Sequence, residues 1–306
     1  MSHIFYLDRA AVTRLLPDLG EQLDLIAETY VAMARNRVEL PPKPGIHPRQ
    51  DAFIHAMPAY LMDRDVAAIK WVSAYPQNSA RGLPYISGLI IVNDPDTGLP
   101  QLIMDAGAIT AIRTAVGSAV SIRHLAHPGW NTVAILGFGE QGRNHARVVS
   151  ALNPDAEVRA YGPRLTGPVE GVEVAPDARS AVDGADVAIT AGPMAKEPSP
   201  VLDRSWLPEQ CLVVPVDFDA YVTPQLVNDA DQFVVDDIAQ YEQHRSKGSF
   251  RGWPPAAVSL GDALQNDPHG DVRVASNLGV GSIDAVLAGV VLEREMTERI
   301  GVQLPR

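Results

Sequence analysis

Residues 133–149, VAILGFGEQGRNHARVV, place three glycines between an apolar run and a helix-like segment. The apolar run before them is typical of a buried strand. Gly137, Gly139 and Gly142 match the pattern G-x-G-x-x-G: the first glycine permits a tight turn, the second admits a pyrophosphate, and the third lets the helix pack on the strand. The free N–H groups of the following helix suit phosphate. The stretch therefore predicts a dinucleotide-binding unit; the alternative is a merely tight turn.

From residue 131 onward, short apolar runs alternate with helical or loop segments. The predicted strands lie at residues 132–136, 157–161, 187–190, 212–216 and 233–235. This alternation is typical of βαβ units and predicts a parallel sheet. The stretch at residues 248–255 is predicted to be irregular because of its Gly and Pro content.

The chain before residue 131 has a different pattern. Residues 8–36 are predicted to be helical with Asp8 as the cap, and the proline-rich segment after them to be extended. Residues 51–105 are β-rich, with a turn at residues 93–98, and a helix is predicted over 107–126. Another helix is predicted from residue 282 to about 300.

Charge and composition exclude several classes of protein. The 306-residue chain has a net charge of −12 and no cluster of Lys and Arg, so no nucleic-acid partner is expected. No apolar run approaches the length that spans a bilayer, so no membrane partner is expected. The single cysteine, Cys211, opens an apolar run and is predicted to be a buried apolar residue. With no secretory signal visible, the expected location is the cytoplasm. No metal site is predicted.

The end of the second predicted strand bears on the choice of dinucleotide. An NAD site usually has an acidic residue there to bind the ribose 2′-hydroxyl. Here Tyr161 is followed by Gly162, Pro163 and Arg164, with no acid. Because a guanidinium pairs well with phosphate, Arg164 favours NADP(H) over NAD(H), although it could also be a solvated loop residue.

Four further stretches carry a resemblance to a known family. They are HAMPAY (55–60), AIKWVSAYPQN (68–78), TGLPQLIMD (97–105) and ITAIRTAVGSA (109–119), all ahead of GFGEQG. Together they resemble the ornithine cyclodeaminase/μ-crystallin family over nearly the whole chain. The resemblance implies an α/β fold: a Rossmann dinucleotide-binding domain (126–282) inserted in an α/β substrate-binding and dimerisation domain (1–125 and 283–306). It also implies a homodimer and hydride transfer between a nicotinamide and the α-carbon of an amino or imino acid.

Site residues follow from the resemblance one at a time. Lys70 resembles the active-site lysine, in contact with the substrate carboxylate or imine, and Arg113 a clamp on that carboxylate or on a cofactor phosphate. Asp219 resembles the catalytic aspartate, with Asp217 as the alternative. Thr114 is a candidate cofactor contact. The remaining predicted cofactor-binding residues form the glycine loop: Gly137, Phe138, Gly139, Glu140, Gln141 and Gly142.

Two departures from the family pattern bear on the substrate. Lys43 stands where the family often has an arginine, and it keeps the charge but loses the bidentate fork. His55 stands where cyclodeaminases have a glutamate; both Lys43 and His55 remain predicted substrate-binding residues. The sequence therefore favours an NAD(P)H-dependent imine reductase acting on a small 2-imino acid. The alternatives are a cyclodeaminase that recycles NAD on a diamino acid, and a non-enzymatic ligand-binding protein of the μ-crystallin type.

Overall fold

The computed structural model describes residues 3–193 and 199–305. Its internal contacts divide the chain into two compact units. The first unit comprises the residues up to Arg113 and those from Val280 onward; the second unit is Thr114–Gly279.

The elements follow one another in mixed order. In the part of the chain up to residue 125 they are β1 (His3–Leu7), α1 (Arg9–Leu15), α2 (Leu19–Ala34), β2 (Val38–Glu39), β3 (Gly45–Arg49), β4 (Ala52–Leu61), β5 (Val66–Ala74), a 3₁₀ helix (Pro76–Arg81), β6 (Ile86–Asn93), β7 (Pro100–Asp105) and α3 (Gly107–Leu125). The later elements are β8 (Thr132–Leu136), α4 (Glu140–Leu152), β9 (Glu157–Tyr161), β10 (Glu173–Val174), α5 (Ala178–Val182), β11 (Val187–Thr190), a 3₁₀ helix (Arg204–Trp206), β12 (Cys211–Pro215), α6 (Pro224–Asn228), β13 (Gln232–Val235), α7 (Ile238–Ser246), β14 (Val258–Ser259), α8 (Leu260–Ala263), β15 (Val272–Ser276), α9 (Gly281–Glu298) and β16 (Val302–Pro305).

The first unit is built on one mixed sheet. The strand order is β16-β1-β7-β6-β5-β4-β2, with β3 paired to β4. Strands β4 to β7 form an antiparallel meander, whereas β1 pairs parallel to β7. Helix α9 packs on β4, β5 and β6 and so covers one face of the meander.

The two faces of β5 differ in burial because successive side chains point to opposite sides of a strand. Lys70 is buried and pairs in register with Met57 and Ile90, which are also buried. Trp71, one residue further, is 46% exposed and pairs with Leu89, which is 40% exposed. The sheet therefore has a face covered by α9 and an opposite face that leaves apolar side chains in solvent.

The second unit is built on a parallel sheet of order β10-β9-β8-β11-β12-β15-β13-β14. The chain adds β9 and β10 on one side of β8. It then crosses over and adds β11 and β12 on the other side of β8. This reversal beside β8 is the switch point at which doubly wound sheets bind nucleotides. The α/β fold with a Rossmann-type parallel sheet is confirmed.

The predicted helix over residues 8–36 is wrong in one respect. Pro17 interrupts it because a proline disfavours the helical conformation of the residue before it, and Leu16 has ψ 143°. Asp8 caps α1 as predicted, and Asp18 caps α2 by accepting from the N–H of Glu21. Strand β15, which lies between β12 and β13, was not predicted from the sequence.

Two further predictions, for Cys211 and for residues 248–255, are confirmed. Cys211 is fully buried, and residues 248–255 lack regular structure. Within residues 3–193 and 199–305, no helix combines the length and the apolar character that crossing a bilayer requires.

Candidate active site

The three glycines of the loop after β8 each meet a different steric condition. Gly137 has φ +96°, and a Cβ there would lie 2.6 Å from the backbone of Ala191 and Gly192. A Cβ on Gly142 would overlap the carbonyl oxygen of Gly137. A Cβ on Gly139 would meet no heavy atom within 4 Å. The first and third glycines are therefore required by the fold, whereas the second faces open space.

That open space lies at the beginning of α4. Gly139 is the N-cap of this helix and makes no side-chain capping bond, so the N–H groups of the first turn are not capped by a side chain. Such N–H groups and the helix dipole favour an anion. The loop thus fits the pyrophosphate of a dinucleotide, with Gly139 at the point of closest approach.

The end of β9 lies against the same loop. The N–H of Gly137 donates to the carbonyl of Tyr161 at 2.8 Å, and a Cβ on Gly162 would lie 3.2 Å from the N of Phe138. Arg164 is exposed in the turn that follows, and no acid stands between Tyr161 and Arg164. A cavity of about 580 Å³ adjoins this strand end, lined by Tyr161, Pro163, Asp177, Ala178, Arg179, Val201, Trp206 and Tyr221.

Helix α4 contains a buried histidine, His145, that was not predicted as a site residue. His145 Nδ1 lies 2.8 Å from the carbonyl oxygen of Gln141, so this nitrogen carries the proton and donates. Its Nε2 then accepts from the hydroxyl of Ser118 at 2.9 Å. Burial lowers the pKa of His145 to about 4, so the ring is neutral and fixes the first turn of α4 without a charge.

The two predicted carboxylates after β12 have different surroundings. Asp217 is 2% exposed and accepts from the Thr190 hydroxyl at 2.5 Å and from the N–H of Gly192 at 2.8 Å. Asp219 is half-buried and accepts from the N–H of Phe250 at 2.6 Å. Because Gly192 also lies against Gly137, the loops after β8, β11 and β12 meet at the Asp217 carboxylate.

The residue between them has an unusual backbone. Phe218 has φ +64°, in the left-handed region that costs a non-glycine residue of order 1–3 kcal/mol. Its ring stacks on Phe250 with centroids 5.1 Å apart and meets His244 edge-on at 5.0 Å. The aromatic contacts hold this turn, which directs the two carboxylates to different partners. Burial raises the pKa of Asp217 to about 6, although the bonds from Thr190 and Gly192 oppose the rise.

The first unit contains a buried ion cluster. Lys70 Nζ lies 2.7 Å from Asp284 Oδ2, and Arg113 Nε lies 3.4 Å from Asp284 Oδ1. The exposed fraction of the side chain is 0% for Lys70, 10% for Arg113 and 2% for Asp284. When Lys70 is protonated, two cations share one carboxylate and the cluster carries one excess positive charge. Lys70 Nζ and Arg113 Nε also lack a well-directed hydrogen bond within the described residues.

Lys70 has a strongly displaced pKa. The pKa of Lys70 is lowered to about 7: burial is the largest cause, the charges of Arg113 and Lys43 act in the same direction, and Asp284 opposes the fall. His55 lies on the same face of the sheet as Lys70, two residues from its register partner Met57. Of the other predicted substrate residues, Arg113 and Lys43 act on Lys70 through their charges, and His55 lies on the same sheet face.

The other predicted residues have simpler positions. Thr114 is half-buried in α3, and its carbonyl oxygen lies 3.2 Å from the Ser118 hydroxyl oxygen. Phe138 is buried under the guanidinium of Arg143, whereas Glu140 is exposed at the start of α4. Asp284 was absent from the sequence analysis, and its only local signal is an acid in the first turn of a helix.

Within the described parts of the chain, no three His, Cys, Asp or Glu side chains are grouped so that they could hold a metal ion.

The family model for the ornithine cyclodeaminase/mu-crystallin family matches residues 6–302. The nodulation efficiency protein NfeD of Rhizobium meliloti is 32% identical over 314 residues, covering 97% of this chain and 96% of that protein.

Several solved structures share the fold, including two with a bound dinucleotide. One is the Thermococcus litoralis Δ¹-pyrroline-2-carboxylate reductase in complex with NADH and L-proline, with a TM-score of 0.85, 23% identity, and 98% and 100% of the two chains covered. The other is an archaeal alanine dehydrogenase dimer with bound NAD, with a TM-score of 0.87, 23% identity and 99% of each chain covered. The match of the family model to residues 6–302, together with the 32% identity to NfeD, shows that the chain belongs to the ornithine cyclodeaminase/mu-crystallin family.

Proposed function

We propose that the chain is an NAD(P)H-dependent imine reductase that converts a small 2-imino acid into an amino acid, reversibly. The observation that carries this proposal is the buried cluster in which Lys70 and Arg113 share the single carboxylate of Asp284. Its excess positive charge and unused donors suit a substrate carboxylate, because buried charges require a partner. The related fold described with NADH and L-proline supports the same class of substrate.

Each unit has a separate task in this reaction. In the second unit, the glycine loop and α4 hold the dinucleotide, whose reduced nicotinamide supplies hydride to the imine carbon when it is bound. In the first unit, Lys70 and Arg113 bind the carboxylate, with Lys43 adding positive charge.

A proton must also reach the imine nitrogen, and two aspartates are candidates. We infer that Asp217 is better suited than Asp219. Its pKa of about 6 lies near the working pH, which favours general acid–base transfer. Asp219 accepts from the N–H of Phe250, which gives its carboxylate a role in holding that loop.

The cyclodeaminase alternative requires an anion for the second ammonium of a diamino acid. His55 stands where cyclodeaminases have a glutamate, and Asp284 is already shared by two cations. This favours a reductase over a cyclodeaminase. For the cofactor, we propose a preference for NADP(H), supported by the exposed Arg164 and by the lack of an acid between Tyr161 and Arg164.

We further propose that the protein is a homodimer through the uncovered face of the first sheet. Trp71 and Leu89 pair across β5 and β6 on that face, and Ile69 and Ile91 form the next pair. Exposed apolar groups of this kind mark interaction surfaces, and the related archaeal alanine dehydrogenase is a dimer.

A panel of 2-oxo acids with ammonia or methylamine, together with cyclic imines, tests the function by loss of NADPH or NADH absorbance. A reductase consumes one reduced cofactor per product. A cyclodeaminase instead turns over a diamino acid with no net change in cofactor. Binding of an imine without turnover would identify the ligand-binding alternative and refute the reductase.

A further inference from the structure

Asp284 lies where two parts of the fold come unusually close. It is in the first turn of α9, whose N-terminal Gly281 lies against β4: a Cβ on Gly281 would be only 3.0 Å from the carbonyl oxygen of Met57. Met57 is the register partner of Lys70. The missing side chain at Gly281 therefore lets α9 approach the strand pair closely enough to bring Asp284 to the ammonium of Lys70.

The strand and the helix both restrict the pair. β5 lies between β4 and β6 and is hydrogen-bonded on both sides, so the backbone of Lys70 cannot shift without breaking two ladders. Asp284 lies in the first turn of α9, where the helix dipole attracts negative charge. Its two oxygens serve different cations, Oδ2 for Lys70 and Oδ1 for Arg113.

Burial works against the positive charge of Lys70. Three charged groups act on this ammonium from three segments: Arg113 from α3, Lys43 from the segment before β3, and Asp284 from α9. His55, on β4, lies on the same face of the sheet as Lys70. Burial, Arg113 and Lys43 lower the pKa of Lys70, whereas Asp284 raises it. Among these groups, Asp284 is the one acid.

We propose that Asp284 is a positioning residue that fixes the place of the Lys70 ammonium and keeps it protonated for binding the substrate carboxylate. The catalytic part of this inference rests on the proposed function. The electrostatic part concerns only Lys70 and Asp284 and is measurable without substrate or cofactor.

The direct test is an NMR titration of ¹⁵Nζ-labelled lysine in the full-length protein, with the Lys70 signal assigned by its loss in Lys70→Arg. We expect a midpoint near 7 in the unsubstituted protein. Asp284→Asn removes the charge and keeps the shape, so the midpoint falls by about 1–3 pH units, the usual effect of an opposite charge at this distance. The alkaline loss of kcat/KM moves to lower pH by the same amount.

A matched control is available on the same helix. Glu295 is also fully buried, but it accepts from the N–H groups of Ile300 and Gly301 instead of contacting Lys70. Glu295→Gln should leave the Lys70 midpoint in place. An unchanged midpoint in Asp284→Asn, or an equal fall in Glu295→Gln, overturns the proposal.

A second variant covers the case in which Asp284→Asn does not fold. Asp284→Glu keeps the charge but changes its reach, so the Lys70 midpoint stays near 7 while kcat/KM falls at all pH values. A midpoint that falls clearly below 7 in Asp284→Glu contradicts the role of the charge. If the unsubstituted protein reduces no imine while the Lys70 titration still depends on Asp284, only the proposed function fails.

Discussion

The space above Gly139 gives the sharpest test of cofactor binding. In Gly139→Val, the new Cβ meets no heavy atom within 4 Å, so we expect the folded state to accept the substitution with little rearrangement. Valine is a poorer N-cap than glycine, which costs about 1 kcal/mol or less. The side chain does occupy the place of the pyrophosphate. Loss of two N–H bonds to a charged phosphate costs about 3–6 kcal/mol, since each contributes about 1.5–3 kcal/mol. That corresponds to a Kd weaker by about 10²–10⁴-fold.

The matched control is Gly142→Ala, in which a smaller side chain has a larger effect on the fold. Its Cβ overlaps the carbonyl oxygen of Gly137, so backbone must move. We expect a loss of about 1–3 kcal/mol of stability, the usual cost of overpacking. Titration calorimetry with NADPH and NADH, beside thermal unfolding without cofactor, separates the two variants. Cofactor affinity in Gly139→Val equal to that of the unsubstituted protein would refute the assignment of the loop. A melting temperature as low as that of Gly142→Ala would refute the steric argument.

Three further predictions concern the cofactor choice, the chemistry and the assembly. Arg164→Ala should weaken NADPH binding by about 1.5–3 kcal/mol and leave NADH binding unchanged in calorimetry; equal losses would show that Arg164 does not select the cofactor. Lys70→Met and Asp217→Asn should each lower kcat/KM by about 10²-fold or more, with little change in cofactor Kd. If Asp219→Asn has a larger effect than Asp217→Asn, Asp219 is the proton-transferring group instead. Trp71→Lys should give a monomer by light scattering, because a charge on an exposed apolar face opposes burial there; a persistent dimer would place the interface elsewhere.

Local patterns were sufficient for the second unit. The strand Thr132–Leu136, the turn at Gly137 and the helix after it occupy consecutive residues, so period, glycine spacing and capping act within one short window. Strand β15 was missed because its position between β12 and β13 depends on a crossover that no local pattern reveals. Pro17, in contrast, carried a local signal that predicts the break between α1 and α2.

The candidate site was only partly accessible from sequence. Lys70 is recognisable as a charged residue within an apolar run, and Arg113 through a motif on α3. Asp284 is far from Lys70 in the chain, and nothing near it indicates a partner. The choice between Asp217 and Asp219 depends on the left-handed turn at Phe218, which a sequence without glycine there does not suggest.

The division of the chain has a consequence for its synthesis. Helix α9 covers β4, β5 and β6. The 166 residues of the second unit, however, are translated after these strands and before this helix. At about 5–20 residues per second, the meander emerges from the ribosome roughly 10–30 s before its covering helix. During that interval the face that will bury Lys70 remains uncovered, while the second unit is a continuous stretch and can fold as soon as it emerges. Strands β4–β6 are therefore made before the second unit but are covered only after it, and a chaperone has its longest opportunity to bind at these strands.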